Sequence, residues 1–441
     1  MDSTRKSAMI RSGSGVTFAL LWWATWGWAA EVPVGRPEEV GLSSDRLARL
    51  TQGFQQEIDA RRLPGVVMMI SRRGRLVYTQ SLGQMSVGEP MRVDAIFRQY
   101  SMTKPWTSVA AMQLMEEARL QLTDPVSKYL PALKDMQVST GEGEASPGKP
   151  NYILKPAVRE MTVQDLLRHT AGLVYGELTA NGPVRDGYAD AGFFARDGGS
   201  YDMRGMTPAQ QIERLGGVPL ARQPGSTFEY GIATDILGRV VEAVSSLRLG
   251  DFLAERLFRP LDMKDSAFMV PARDLAWVAQ PFDQGPATGT PNRLIDVSIE
   301  PGNDSGGAGG VSTAMDYLRF GLMLLNGGTL DGARVLSRTS VELMTADHLG
   351  TGMQVPVTAG ELLFGVQGYS FGLGFAVRQH TGIGQVAGSP GEFMWAGFGG
   401  TFFFVDPREQ LVAIYMSQAP GKSRQYYRRM FKQLVMQAIV D

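Results

Sequence analysis

The sequence predicts an α+β fold. One antiparallel sheet is built from both ends of the chain, and a mainly helical region is inserted between them. Three observations carry this. Val66-Val67-Met68-Met69-Ile70 and Arg75-Leu76-Val77-Tyr78 flank Ser71-Arg72-Arg73-Gly74, the pattern of a β-hairpin. Near the other end, Thr401-Phe402-Phe403-Phe404-Val405 and Leu411-Val412-Ala413-Ile414-Tyr415 flank a turn at Asp406-Pro407-Arg408-Glu409. From about Asp124 to Glu300 the chain reads instead as helical pieces joined by glycine- and proline-rich loops.

Composition narrows the chemistry. With 44% hydrophobic and 20% charged residues, the 441-residue chain is of globular type and long enough for a large core. A formal net charge of −1 argues against nucleic-acid binding through a basic face. There are no cysteines, so disulfides, thiolate nucleophiles and Cys-based metal sites are excluded. The only histidines, His169, His348 and His380, are too few for a multi-histidine metal cluster.

Taken in order, residues 1–30 come first. Arg5, Lys6 and Arg11 precede an apolar run from Val16 to Ala30, closed by Ala29-Ala30 before Glu31. This is the build of a cleaved export signal, short for a membrane span, with an uncleaved anchor or a mis-assigned start as the alternatives. The mature protein is therefore expected in the periplasm or secreted, with a cytoplasmic location as the alternative. Ser43-Ser44 can cap a helix with Leu47, Leu50, Phe54 and Ile58 on its apolar face. After the first hairpin, an extended run from Ala95 to Tyr100 leads into a helical pattern marked by Val109, Met112 and Met115. Residues 139–150, polar and glycine-rich, read as a surface loop. Thr162 with Asp165 reads as a capping box. Residues 181–205 show little periodicity and read as a long loop or a cleft lining. Tyr230 precedes a helix bearing Ile236, Leu237, Val240, Val241 and Val244. The glycine-rich run Asn303–Gly310 lacks the lysine and spacing of a phosphate loop and reads as a tight turn beside a cleft. Thr313 with Asp316 reads as the capping box of the next helix, and a last helix turns Tyr427, Met430, Phe431, Leu434 and Ile439 inward.

The stretch with chemical content is Ser101-Met102-Thr103-Lys104. It falls where the extended run meets the helix, and Pro105 is tolerated in a first helical turn. A serine there lies near free backbone amides and the positive end of the helix dipole. The i, i+3 spacing puts Lys104 on the same face, about 5–6 Å away at Cβ. That is the arrangement of a serine nucleophile activated by a lysine. On the tetrapeptide alone, an N-cap serine followed by an exposed lysine is the commoner reading.

Several motifs agree in order. Besides Ser101–Lys104 they are Leu122-Thr123-Asp124-Pro125-Val126, Leu167-Arg168-His169-Thr170-Ala171-Gly172-Leu173, Pro224-Gly225 through Tyr230, Gly306 to Asp316, and Trp395-Ala396-Gly397 through Asp406-Pro407. From about residue 40 onward the chain resembles serine hydrolases of the class C β-lactamase and penicillin-binding-protein group, and most of all the family VIII carboxylesterases. The resemblance implies a β-lactamase/transpeptidase-like catalytic domain over 31–441, with a sheet part at 31–105 and 300–441 and a helical part at 106–299. It makes Ser101 the nucleophile, Lys104 its proton partner, and Tyr230 the relay of protons to the leaving group. Trp395-Ala396-Gly397 falls where β-lactamases carry lysine-threonine-glycine on a sheet edge. The amides of Ser101 and Phe398 would then form the oxyanion hole. No metal or organic cofactor is implied.

Two departures set the expected substrate. Tyr230-Gly231-Ile232 lacks the asparagine that β-lactamases place third, and Trp395 stands where they hold the β-lactam carboxylate with lysine. Both polar anchors are gone, and an apolar Trp395 suits the alkyl or aryl part of an ester. The expected activity is hydrolysis of small, short-chain esters through an acyl-enzyme on Ser101, with β-lactam turnover weak or restricted to some cephalosporins. A β-lactamase proper, a D-amino-acid peptidase and a non-catalytic binding protein are the alternatives. No nucleic-acid or obligate membrane partner is expected.

Two decoys remain. Gly368-Tyr369-Ser370-Phe371-Gly372 matches the G-x-S-x-G elbow, which needs a helix after the serine and then an acid and a histidine. Here strand-like sequence continues to Val377, and His380 follows with no acid between. His169, between a helix end and Thr-Ala-Gly, is expected to bond backbone near the cleft and to stay out of the chemistry.

Overall fold

The computed structural model describes residues 32–146, 149–194 and 201–441. The expected export signal lies outside the described residues. Among the described residues no helix is long and apolar enough to cross a membrane.

Ser43 caps α1 (Ser44–Asp59), its hydroxyl accepting the Arg46 amide. The first hairpin is β1 (Gly65–Arg72) and β2 (Arg75–Ser86), followed by the short β3 (Glu89–Pro90). It turns at Arg73 and Gly74, with φ of 50° and 74°, a handedness that matches the strand twist. Only Phe97–Arg98 of the expected extended run forms a strand, β4, before a 3₁₀ turn at Tyr100–Met102 opens α2 (Thr103–Glu116). The next part holds a hairpin of β5 (Gln137–Ser146) and β6 (Lys149–Pro156), then α3 (Val163–Leu167), α4 (Gly182–Asp190), α5 (Pro208–Gly216), α6 (Ala233–Ser245) and α7 (Leu249–Leu253). Then come β7 (Val311–Ser312), which pairs with β4, α8 (Ala314–Leu325), a small hairpin of β8 (Thr329–Leu330) and β9 (Ala333–Arg334), α9 (Arg338–Met344) and α10 (Ala359–Phe364). The chain ends with β10 (Tyr369–Phe371), β11 (Ala376–Arg378), β12 (Phe393–Ala396), β13 (Phe402–Asp406), β14 (Leu411–Met416) and α11 (Arg424–Met436).

The main sheet has eight strands in the order β10-β11-β12-β13-β14-β1-β2-β3, every pair antiparallel. Both chain ends meet at the β1–β14 seam, where Val67 faces Met416 and Met69 faces Ile414. β1, β13 and β14 are buried along their whole length because helices cover both faces. The run Phe402-Phe403-Phe404 shows this through its period of two. Phe402 and Phe404 point at Phe431 of α11, while Phe403 packs against Tyr317 and Phe320 of α8. Phe54 of α1 meets Tyr415, Tyr427 and Phe431 on the α11 side. α2 is buried from Thr103 to Leu114, with Trp106 wedged between Phe258 and Tyr317. This is the β-lactamase/transpeptidase-like α+β architecture expected.

Three local expectations need correction. Residues 139–146 and 149–150 are strand, not loop: they belong to β5 and β6, whose ladder runs from Gln137↔Pro156 to Ser146↔Lys149. Backbone pairing there overrides a polar composition that carries no alternation. Within 181–205, Asn181 caps α4 through its side chain, with Pro183 in the first turn. Thr313 does cap α8, accepting the Asp316 amide at 3.2 Å, but Asp316 does not return the bond. Its carboxylate takes the Asp265 amide at 2.8 Å and the Ser266 hydroxyl at 2.9 Å, so tertiary partners outcompete the local box.

Candidate active site

The turn that carries Ser101 is tied on both sides. The Gln99 amide donates to Gly310 O at 2.8 Å, and the Met102 amide returns to Gln99 O at 3.0 Å. Tyr100 adopts φ of 46°, a left-handed conformation rare for an aromatic residue and one that surrounding contacts must enforce. Its hydroxyl accepts the Ile295 amide at 2.9 Å, and its ring lies 5.5 Å from that of Phe398. Ser101 thus sits half-buried just before α2.

Lys104, in the first turn of α2, is 1% exposed. Its ammonium donates to Gly307 O at 2.8 Å and to the Tyr175 hydroxyl at 3.1 Å, and reaches Ser101 Oγ at 3.4 Å. Three donors meet three acceptors, which satisfies a protonated amine. Tyr230, two residues before the N-cap of α6, donates its hydroxyl to Ser101 Oγ at 2.7 Å. The Lys104 nitrogen also lies 4.8 Å from the centre of the Tyr230 ring, a cation–π approach. Ser101, Lys104 and Tyr230 therefore come together although the last is separated from the first by 129 residues.

No carboxylate among the described residues pairs directly with Lys104. Compensation comes through Gly307, whose amide donates to Asp235 Oδ1 at 3.2 Å while its carbonyl holds Lys104. Asp235 also takes the Ser305 hydroxyl at 2.5 Å, and its Oδ2 has no hydrogen-bond partner among the described residues. Burial pushes the Asp235 carboxyl up, against the pull of Lys104, Ser305 and the Gly307 amide. The glycine-rich run is thus a tight turn beside the site, as expected, and its carbonyl also serves the lysine. Tyr175, Asp235 and Gly307 were missed in the sequence. The single signal was position: Tyr175 lies just past the Gly172-Leu173 match, and Asp235 in the first turn after Tyr230.

Burial, then the neighbouring Tyr230, pushes the Tyr175 phenol well above its ordinary value, so it stays protonated beside the ammonium. His169 is fully buried, and burial followed by the charge of Lys104 lowers its pKa well below the ordinary value. Its Nδ1 accepts the Gly231 amide at 3.4 Å and its ring packs 4.8 Å from Tyr230. It bonds backbone as expected, and it supports Tyr230. Gly231 fits this corner because a Cβ there would lie 2.2 Å from Leu173 O.

β12 brings up the other wall. β11 pairs with it only at Phe393 and Met394, so Trp395 and Ala396 pair on one side alone and present a free edge locally. Trp395 is 1% exposed, its ring 5.2 Å from Tyr230 and 5.3 Å from Phe371. In this position it buttresses Tyr230. The Gly397 amide donates to Thr401 O at 2.8 Å, and a Cβ on Gly397 would sit 2.2 Å from Gln99 O. Only glycine lets the strand end lie against the Ser101 turn. Phe398 follows, 44% exposed at the mouth.

Ser370 is on a strand, not an elbow, and donates to Asp347. Both ring nitrogens of His348 are engaged elsewhere, with Gln164 at 3.2 Å and Leu343 O at 2.7 Å. No triad forms there. Among the described residues no cluster of three His, Asp or Glu side chains is arranged to hold a metal ion.

Fold and site together define a serine hydrolase of the β-lactamase and penicillin-binding-protein superfamily: the chain belongs to the Beta-lactamase family, whose model matches residues 48–436. Among its relatives, protein Rv1367c of Mycobacterium tuberculosis is 34% identical over 83% of this chain and 88% of its own length. Esterase EstB of Burkholderia gladioli is 30% identical over 81% of this chain and 87% of its own. Among solved structures, EstCE1, described as a hydrolase with promiscuous acyltransferase activity, aligns with a TM-score of 0.71 and 26% identity. That alignment covers 89% of this chain and 98% of EstCE1.

Proposed function

We propose that the protein is a serine carboxylesterase that hydrolyses small, short-chain esters through an acyl-enzyme on Ser101. One observation carries the reading: the Tyr230 hydroxyl lies 2.7 Å from Ser101 Oγ, with the buried Lys104 ammonium beside both. In the reactive form the Tyr230 phenol has given up its proton to solvent, and Ser101 Oγ attacks the ester carbonyl while its own proton passes to the Tyr230 phenolate oxygen. Lys104 compensates the charge on that oxygen. The carbonyl oxygen becomes an oxyanion, held by the amides of Ser101 and Phe398. The C–O bond to the alcohol breaks as Tyr230 returns the proton to the leaving oxygen. Water then adds to the acyl-enzyme by the same path, releasing the acid and restoring Ser101.

The walls support an ester over a β-lactam. Ile232 is buried and Trp395 packs against Tyr230, so neither supplies the polar group that would anchor a lactam carboxylate. Phe398 offers an exposed aromatic face at the mouth. EstB and EstCE1 are named as an esterase and a hydrolase, which supports the same class. β-Lactam turnover is expected to be weak and confined to some cephalosporins.

The test is hydrolysis of p-nitrophenyl acetate and butyrate beside nitrocefin, on wild type and Ser101→Ala. Ester turnover that vanishes in Ser101→Ala, with slow or no nitrocefin turnover, is expected. Turnover of nitrocefin by a wild type inert on every ester would overturn the esterase reading.

A further inference from the structure

Two arginines of α11, one helical turn apart, hold the backbone around Phe398. Arg428 is 4% exposed and donates to Gly397 O at 2.8 Å and to Leu363 O at 3.2 Å, while its Nε has no hydrogen-bond partner among the described residues. Arg424 donates to Phe398 O at 3.0 Å and lies 4.4 Å above the Phe398 ring. Neither guanidinium pairs with a carboxylate among the described residues. A cation buried on carbonyls alone costs stability, because desolvation is not met by an opposite charge. Here burial, then the like charge of Arg424, depresses the pKa of Arg428. An apolar side chain of similar volume would tie α11 to β12 without that cost.

The position of the bond gives the cation a use. Gly397 O and the Phe398 N–H belong to one planar trans peptide, in which carbonyl and amide point in opposite directions. Fixing the carbonyl on Arg428 fixes the direction of the N–H, away from the guanidinium. A charged donor on the carbonyl also polarises the peptide, which makes its N–H a stronger donor. Arg424 fixes the next carbonyl along. Gly397 itself is pressed against Gln99 O, so the peptide is clamped between α11 and the turn that carries Ser101.

We propose that Arg428 is a positioning residue of the oxyanion hole, orienting and polarising the Gly397–Phe398 peptide so that the Phe398 N–H meets the charge that develops on the ester oxygen. This rests on the reading of Ser101 as nucleophile and of the Phe398 amide as an oxyanion donor. Arg428 does not touch substrate. Its removal should therefore lower kcat and leave KM nearly unchanged.

The experiment compares the full chain with Arg428→Met and Arg428→Lys. It reads kcat and KM for p-nitrophenyl butyrate, inhibition by phenylboronic acid, and thermal midpoint. The boronic acid forms a tetrahedral adduct on the serine whose oxygen stands in for the oxyanion. Arg428→Met should lose about 10–100-fold in kcat with KM within threefold, and boronate affinity should fall in step. Arg428→Lys, which keeps a charged donor, should recover part of both. A folded Arg428→Met with kcat and boronate affinity within twofold of wild type would overturn the proposal. So would equal losses in substrate and boronate binding, the mark of a structural tie alone. If Arg428→Met does not fold, Arg428→Gln, which removes the charge, decides in its place: lower kcat with matching loss of boronate affinity supports the proposal, and unchanged values overturn it. A fluorophosphonate that fails to label Ser101 in wild type would sink the parent reading. Labelled Ser101 with boronate affinity indifferent to Arg428 would sink this inference only.

Discussion

Replacing Tyr230 by Phe separates catalysis from stability. The substitution removes one hydroxyl, whose hydrogen bond is to Ser101 Oγ at 2.7 Å. The ring contacts with Trp395, Tyr175 and His169, at centroid distances of 5.2, 5.6 and 4.8 Å, all survive in Phe. A neutral hydrogen bond contributes about 1 kcal/mol net, so the thermal midpoint should move by no more than about 2 °C in a chain of this size. Catalysis loses far more, because Tyr230 both takes the serine proton and returns it to the alcohol. A positioned acid–base group contributes about 10²–10⁴-fold, or about 3–5 kcal/mol of barrier. The loss should depend on the leaving group. p-Nitrophenolate departs without a proton, whereas an alkoxide needs one, so the drop in kcat should be larger for ethyl butyrate than for p-nitrophenyl butyrate. The assay is pH-stat titration for the alkyl ester and absorbance for the aryl ester, on wild type and Tyr230→Phe. A folded Tyr230→Phe retaining more than about a tenth of wild-type kcat on ethyl butyrate would refute the proton relay.

Other outcomes follow from neighbouring contacts. Asp235→Asn keeps an acceptor for Ser305 and Gly307 but removes the charge facing Lys104; kcat/KM on p-nitrophenyl butyrate should fall about 10–100-fold, the equivalent of about 1.5–3 kcal/mol for a buried charged interaction. Ser370→Ala should leave ester turnover within twofold, because Ser370 bonds Asp347 and lies outside the Ser101 cluster; loss of activity there with Ser101→Ala unaffected would reverse the assignment. For Asp165, burial pushes the carboxyl up, yet Arg159, the Thr162 amide and Thr170 outweigh it and hold the pKa at about 2. A lowered folded pKa contributes stability above the unfolded value of about 4, lost as pH falls through about 2, and worth about 2 kcal/mol. Thermal midpoints should therefore fall more steeply between pH 4 and 2 in wild type than in Asp165→Asn, and equal slopes would contradict this.

What could be read from the sequence was local. Both hairpins showed because alternating β-branched and aromatic residues flank turn residues, and the Ser101–Lys104 spacing showed because a helix fixes which residues share a face. Tyr230 carried no local signal and was found through the family resemblance alone. The rest of the site is made by packing across long separations: Lys104 meets Tyr175 over 71 residues and Gly307 over 203. Nothing in residues 137–156 alternates, so their hairpin was invisible to pattern. Trp395, expected to suit the alkyl or aryl part of an ester, stands beside Tyr230 in the fold, its ring 5.2 Å away. Nothing local marks Arg428, whose contact with Gly397 O arises only in the folded chain.

In the proposed reaction one hydroxyl, that of Ser101, is acylated. Intact-mass and peptide mass spectrometry after treatment with a fluorophosphonate test it most directly. A single adduct is expected on the peptide carrying Ser101, absent in Ser101→Ala and formed much more slowly in Tyr230→Phe. An adduct on Ser370 or any other residue, or labelling of Ser101 at wild-type rate without the Tyr230 hydroxyl, would contradict it.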